Sequence, residues 1–270
     1  MLMKLKVFFA LIGGFLAFAG ANAGTVYDFN DPSQLNDFRT GTENFGWEWR
    51  PDAGMNGTGG LAGLANGSGG GSWFVQKESF AGNTPGFTLA AVFQWTTPSY
   101  GAGAGFALGI IGDLNGDVSQ NTAPLFQFGI ARRTTITETR FIGSWANSET
   151  SGSWTSEHSV PMVDGGWYQI AGDITWNADA QTYQIAISLY QIEGDLFTLL
   201  ASGTYQMGPL DELFNDDAVH AFFGSPNAVK GRGTMAVDRF VTPVPEPGLA
   251  WGALGMLLGL AGLRSKKRKS

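Results

Sequence analysis

Two stretches of strict alternation, Trp167 to Trp176 and Tyr183 to Gln191, constrain this chain more than any other feature. In the first, Tyr168, Ile170, Ile174 and Trp176 fall on one side and Gln169, Ala171, Asp173 and Thr175 on the other; the second repeats this with Tyr183, Ile185, Ile187 and Leu189. A strand alternates its side chains with period two, which a helix cannot do. Asn177 to Gln181 lies between them as turn residues, so the pair reads as an antiparallel hairpin with one buried face. A third strand, Phe197 to Tyr205, turns back after Glu193-Gly194-Asp195.

The same pattern predicts strands at Thr25 to Phe29, Phe45 to Arg50, Ser72 to Glu78, Phe87 to Trp95, Ala104 to Ile111, Leu125 to Ile130, His220 to Gly224 and Gly233 to Phe240. A short helical turn is expected at Asp31 to Asn36, and a long glycine-rich surface loop over Asp52 to Gly71. No long stretch of the middle carries apolar residues at helical spacing. About eleven short strands with no second periodic block predict one all-β antiparallel sandwich rather than two domains, and it occupies residues 24–243.

Both ends carry address information. Lys4 and Lys6, the uncharged run Val7 to Gly20 and the small-residue site Ala21-Asn22-Ala23 read as a secretory signal peptide over residues 1–23, cut after Ala23. At the other end Pro245-Glu246-Pro247 precedes Gly248 to Leu263, which has no charge, and then Arg264-Ser265-Lys266-Lys267-Arg268-Lys269. As a helix, residues 248–263 reach about 24 Å at about 1.5 Å per residue, against a hydrocarbon core of about 30 Å. That is a short transmembrane helix, completed by basic stems that reach the interface and hold this end in the cytoplasm. The middle is therefore placed outside the cytoplasmic membrane.

The order of Pro-Glu-Pro, short apolar span and basic terminus over residues 244–270 resembles the PEP-CTERM sorting signal of Gram-negative bacteria. The resemblance implies an exosortase as processing partner, with Pro245, Glu246 and Pro247 as its recognition residues. It also implies a passing inner-membrane anchorage before delivery to the cell surface or exopolysaccharide matrix.

Charge and chemistry narrow the function of the middle. Of 16 Lys and Arg, two lie in the signal peptide and five in the tail, leaving 9; of 23 Asp and Glu only Glu246 lies in the tail, leaving 22, so the middle is near −13. Nucleic acid, which needs basic surface, is excluded as a partner. There is no cysteine, so neither disulfide nor thiol chemistry is available. The histidines are His158 and His220, and no Gly-x-Ser-x-Gly motif accompanies them. Glycoside hydrolysis needs two carboxyls roughly 5 to 9.5 Å apart. Within one strand only Glu193 and Asp195 have a suitable spacing, and they fall in a turn. The middle is therefore expected to be non-catalytic, with a polysaccharide hydrolase or lyase built from carboxylates of separate strands as the alternative.

Two sets of residues are candidates for ligands. Asp113, Asn115 and Asp117 place oxygens at alternate positions, the spacing with which a short loop wraps Ca2+, although Val118 and Pro124 stand where an EF-hand has its glycine and its bidentate glutamate. Trp47, Trp49, Trp145 and Trp154 lie in polar or glycine-rich surroundings where an exposed ring would stack on sugar. The competing role for them is to fill a large core.

Asp164-Gly165-Gly166-Trp167-Tyr168 opens an alternating strand, Tyr183 to Leu189 follows a turn, and Val237-Asp238-Arg239-Phe240 comes late. Together with the early Tyr27-Asp28-Phe29, these resemble the laminin-G/concanavalin A-like jelly roll. The resemblance implies two curved antiparallel sheets with loops at one rim, where such domains often hold calcium, and binding of carbohydrate or protein. The expected function is that of an exported surface or extracellular-matrix protein that contacts polysaccharide. A structural, adhesive matrix protein with no small ligand is the further alternative.

Overall fold

The alternating stretches form the hairpin that their period requires. The structure, a computed structural model, describes residues 25–40, 47–63, 72–95, 105–118, 123–132, 138–225 and 236–243. In chain order its strands are β1 (Thr25–Tyr27), β2 (Phe38–Thr40), β3 (Trp47–Arg50), β4 (Gly60–Gly63), β5 (Ser72–Gln76), β6 (Gly86–Gln94), β7 (Gly105–Ile111) and β8 (Leu125–Arg132). They continue as β9 (Thr139–Ala146), β10 (Ser151–Val160), β11 (Trp167–Asn177), β12 (Thr182–Glu193), β13 (Leu196–Met207), β14 (His220–Ser225) and β15 (Ala236–Thr242). A 3-10 helix at Pro32–Asp37 and one short helix α1 (Asp211–Phe214) complete the described elements, besides a single 3-10 turn at Met55–Gly57.

The strands make two antiparallel sheets, and the expected all-β sandwich is borne out. One has eight strands in the order β13-β12-β11-β6-β15-β4-β3, with β1 added along β15; the other has seven in the order β10-β9-β8-β7-β14-β5-β2. The pairing of Thr25 with Thr242 and Tyr27 with Phe240 brings the two ends of the sandwich together. The hairpin turn at Asn177–Gln181 is closed by the Asn177 side chain, whose Oδ1 accepts from the backbone of Asp179 and Ala180. Gln181 completes it with a φ of 53°.

Aromatic pairs bridge the sheets, and five of them follow the strand order from one edge of the sandwich to the other. Trp47 of β3 meets Phe74 of β5 with ring centres 6.0 Å apart, and Phe240 of β15 meets Phe223 of β14 at 4.6 Å. Phe93 of β6 stacks on Phe106 of β7 at 4.5 Å, and Tyr183 of β12 meets Phe126 of β8 at 5.1 Å. At the far edge Tyr205 of β13 lies flat on Trp154 of β10 at 3.8 Å and 2°. Such pairs add directional attraction to the burial of large rings.

One expectation is corrected. Asp52 to Gly71 is not loop throughout: Gly60–Gly63 is β4, paired with both β3 and β15, and Leu61 is fully buried. The cause is a buried carboxylate far away in sequence, because Asp238 Oδ1 accepts from Met55 N at 2.8 Å and Thr58 Oγ1 at 3.1 Å and pins the turn that feeds β4. Glycine lets the backbones close here, since a Cβ on Gly60 would lie 2.6 Å from Gly54 N. Strands β2, β9 and β10 are also not anticipated by the pattern. The signal-peptide reading with Ala21 and Ala23, and the sorting signal with Pro245, Glu246, Pro247 and residues 248–263, lie outside the described residues. Among the described residues no helix is long and apolar enough to cross a membrane.

Burial raises the phenol pKa of Tyr27, Tyr168, Tyr183 and Tyr205 above the ordinary 10.0; at Tyr183 the charge of Asp216 adds to it, and at Tyr205 a hydrogen bond with the Ser156 side chain partly offsets it. A group whose folded pKa is raised contributes stability below its unfolded pKa and loses it as pH climbs toward the folded value. Of six tyrosines, these four are expected to ionise late in a spectrophotometric titration, in step with loss of the folded circular-dichroism signal. Reversible ionisation of all six near the ordinary value in folded protein contradicts the packing described.

Candidate functional site

Alternation divides every strand of the seven-stranded sheet between the sandwich interior and the opposite, outer face. On β8 the interior takes Phe126, Phe128 and Ile130, and the outer face takes Leu125, Gln127, Gly129 and Ala131. Part of this outer face is closed by a second apolar cluster of Trp73, Val75, Ile111, Val118, Leu125 and Phe222. Phe222 reaches across Gly109, where a Cβ would come within 2.5 Å of its ring.

Beside that cluster the surface turns polar. The registers set Gly109, Gln127, Ser144 and Ser153 side by side across β7, β8, β9 and β10. The next row is Ala107, Gly129, Ile142 and Thr155, in which Ala107 belongs to the apolar cluster and Gly129 is buried. Gln127 donates from Nε2 to Ser144 Oγ at 2.8 Å, while its buried Oε1 has no hydrogen-bond partner among the described residues. Whichever way the amide is turned, one end engages Ser144 and the other is left to a further partner. At the margin Arg140 is committed, donating from Nη1 to Ser156 O at 3.1 Å and pairing through Nη2 with Glu138 at 3.3 Å. The bulge of β10 between Thr155 and Ser159 is tied down by Ser156, whose hydroxyl donates to His158 O and accepts from Phe141 N.

The four tryptophans singled out from sequence all face the interior. Trp49 donates from Nε1 to Phe29 O at 2.7 Å, and Trp47 packs on Phe74. Trp154 has one face on Tyr205 and its Nε1 3.1 Å from Met207 Sδ, and the place of a side chain at Gly143 is taken by its ring. Trp145 lies against Gly152 in the same way. All four are half-buried and packed against the main core.

Asp113 and Asn115 sit on the surface after β7, next to Asp117. Asp113 Oδ1 accepts from Asn115 N at 2.8 Å, Gly116 N donates to Asp113 O at 2.9 Å, and Arg39 Nη2 donates to Gly116 O at 2.6 Å. Leu114 and Val118 anchor the segment in the outer apolar cluster. The segment is thus a turn tied by its own hydrogen bonds with a guanidinium against it. The candidate residues share one exposed turn, with one Asp113 oxygen and the Gly116 carbonyl already accepting hydrogen bonds. Among the described residues no three His, Cys, Asp or Glu side chains converge as a metal site.

The remaining titratable candidates stay apart. Glu193, the exposed last residue of β12 and not a turn residue, accepts from Gln191 Nε2, and Asp195 is exposed in the turn that follows. His158 is exposed at the bulge, whereas His220 is buried with Nδ1 3.0 Å from Gln76 O. A carbonyl only accepts, so the proton of neutral His220 sits on Nδ1. Asp28 accepts from Asn30 N and Gln34 Nε2; burial alone would raise its pKa, yet these hydrogen bonds outweigh it and hold the carboxyl below its usual value. Sequence reasoning misses Gln127 and Ser144, for which the visible signal is one amide inside the apolar run Leu125 to Ile130.

No protein-family model and no curated protein matches the chain. Solved structures do match over most of its length. A carbohydrate esterase from Shiga toxin-encoding bacteriophage phi24B is 14% identical with a TM-score of 0.50, covering 84% of this chain and 100% of that one. The Emp46p carbohydrate recognition domain, in a single-substitution form, is 10% identical at a TM-score of 0.49, over 82% and 96%. The lectin UEA-II complexed with galactose is 11% identical at 0.48, over 82% and 98%. The likeness shows the fold, a concanavalin A-like jelly roll.

Proposed function

We propose that this chain is an exported, exosortase-sorted protein of the cell surface or extracellular matrix whose sandwich binds neutral carbohydrate and catalyses no reaction. The observation that carries the binding reading is the outer-face row Gln127, Ser144 and Ser153, where one end of the Gln127 amide has no partner among the described residues. Sugar hydroxyls both donate and accept, so an amide and hydroxyls in one row complement a pyranose edge. The row carries no charge, which points to a neutral glycan. The fold does not choose the ligand, so the reading rests on the row and not on the likeness to other sandwiches. The glycan supplies no charge partner, so binding rests on hydrogen bonds and excluded water alone.

A catalytic reading draws on the bacteriophage carbohydrate esterase of similar fold. The hydroxyls that the described residues set against a carboxylate include Ser148 on Glu212, Thr88 on Asp173 and Thr58 on Asp238, and neither His158 nor His220 joins any of these pairs to complete a triad for acyl transfer. Release of reducing sugar or acetate from a polysaccharide panel would establish that reading in place of the first.

Glycan-array and pull-down measurements on residues 24–243 are expected to show retention of a neutral polysaccharide. Replacing Gln127 by Ala removes one partner of a buried hydrogen bond, worth about 1–3 kcal/mol, or roughly ten- to a hundredfold in affinity. Retention unchanged by Gln127→Ala, or none on any glycan, overturns the assignment.

Export and sorting rest on the resemblance of the two ends. Scrambling Pro245, Glu246 and Pro247 is expected to leave the chain in the membrane at its unprocessed mass, read by fractionation and mass spectrometry. Unaltered destination and mass would refute an exosortase as partner.

A further inference from the structure

The edge of the eight-stranded sheet carries a surface that neither the glycan reading nor the core explains. Among the described strands β13 is the outermost on that side, and it runs for 12 residues with no charge and no proline. Soluble proteins usually blunt such an edge with lysine, proline or a covering element, because its free N–H and C=O groups invite another strand. Here the first half is bare: Leu196 is 70% exposed, Phe197 49% and Leu199 53%. The pairing with β12 slips between Leu189 and Tyr190, which leaves Leu200 as the extra residue and bends the strand there. On the outer face of the sheet the registers put Phe197 beside Ile192 and Trp167, and Leu199 beside Tyr190 and Gln169. An apolar corner therefore adjoins the bare edge.

We propose that this edge pairs with the same edge of a second copy, β13 against β13 in antiparallel fashion, about a two-fold axis through Thr198. The sequence around Thr198 is self-complementary. With Thr198 opposite its equivalent, Phe197 faces Leu199 of the second copy and Leu196 faces Leu200, so each cross-strand pair is apolar. Charge selects the same occupant and register. The chain carries a net −7, so two copies repel broadly and approach best along a strip without charge. In this register the nearest acids, Asp195 and Glu193, come opposite Ala201 and Gly203 of the second copy, and no carboxylate meets another. A two-fold contact of this kind closes on itself and makes a dimer, not a fibre. The bulge at Leu200 limits the ladder to residues 196–200, which places the contact in the small, transient class below roughly 1,200 Å². The dimer is therefore populated where copies are concentrated.

The absence of cysteine makes the test clean, because any thiol introduced is the sole one. Thr198→Cys in the full chain puts two thiols opposite each other at the dyad, at the roughly 4.5–5.5 Å Cβ separation of directly opposed strand residues, which a small local shift brings to disulfide length. Under mild oxidation it is expected to give a covalent species of twice the chain mass about tenfold faster than Gln206→Cys, an exposed control on the same strand. Adding Phe197→Glu and Leu199→Glu, both at exposed positions, should abolish the cross-link while the circular-dichroism spectrum stays that of the parent. Equal cross-linking of Thr198→Cys and Gln206→Cys, cross-linking that survives the glutamates, or a product of any other mass overturns the proposal.

Discussion

Burial of aromatic rings between two sheets is the interaction on which everything else here depends. The chain has no cysteine to staple it, and the ion pairs of Arg50 with Glu48 and Arg140 with Glu138 are both short-range and on the surface. Surface pairs of this kind contribute little. What remains is apolar contact, delivered by the five ring pairs that run from Trp47 and Phe74 at one edge to Tyr205 and Trp154 at the other. Phe223 lies at the centre of this layer, in ring contact with Phe29, Phe38, Phe74, Phe106 and Phe240. Deleting a ring of that size from a core costs about 3–5 kcal/mol, a large share of a typical domain's total stability.

That demand decides where function can reside. A ring committed to the interior cannot also offer its face to a sugar, so the tryptophans are poorly placed as binding platforms. The outer faces are free of the requirement and differ accordingly. The seven-stranded sheet presents a polar row, while the eight-stranded sheet presents an apolar corner that ends in an uncharged edge. One surface suits hydroxyl-rich ligands and the other suits a copy of the chain, and they belong to opposite sides of the sandwich.

How much of this is legible in the sequence follows from how strongly each residue announces its face. β11 and β12 alternate bulky Ile, Leu and Tyr with small or polar partners, and their register can be read directly. β4 is hidden because Gly60 and Gly63 give no alternation, and its place depends on Asp238, about 180 residues later in the chain. β10 reads Ser-Gly-Ser-Trp-Thr-Ser, in which Trp154 is the only large inward residue before the bulge at Ser156. The four tryptophans are conspicuous by type, but their direction is set by strand pairing, which composition does not reveal. Gln127 is inconspicuous for the opposite reason, being one polar residue whose partner Ser144 lies on a strand the pattern does not show.

The account turns on the claim that ligand binding belongs to the outer face of the seven-stranded sheet and not to the aromatic interior or the Asp113 turn. Amide chemical-shift mapping by NMR, with residues 24–243 titrated by a neutral oligosaccharide, addresses it most directly. The expected result is a contiguous set of shifted resonances at Gln127, Gly129, Ser144, Ser153 and Thr155. Shifts centred on the indole N–H signals of Trp47, Trp49 or Trp154, or on Asp113 to Asp117, would contradict it.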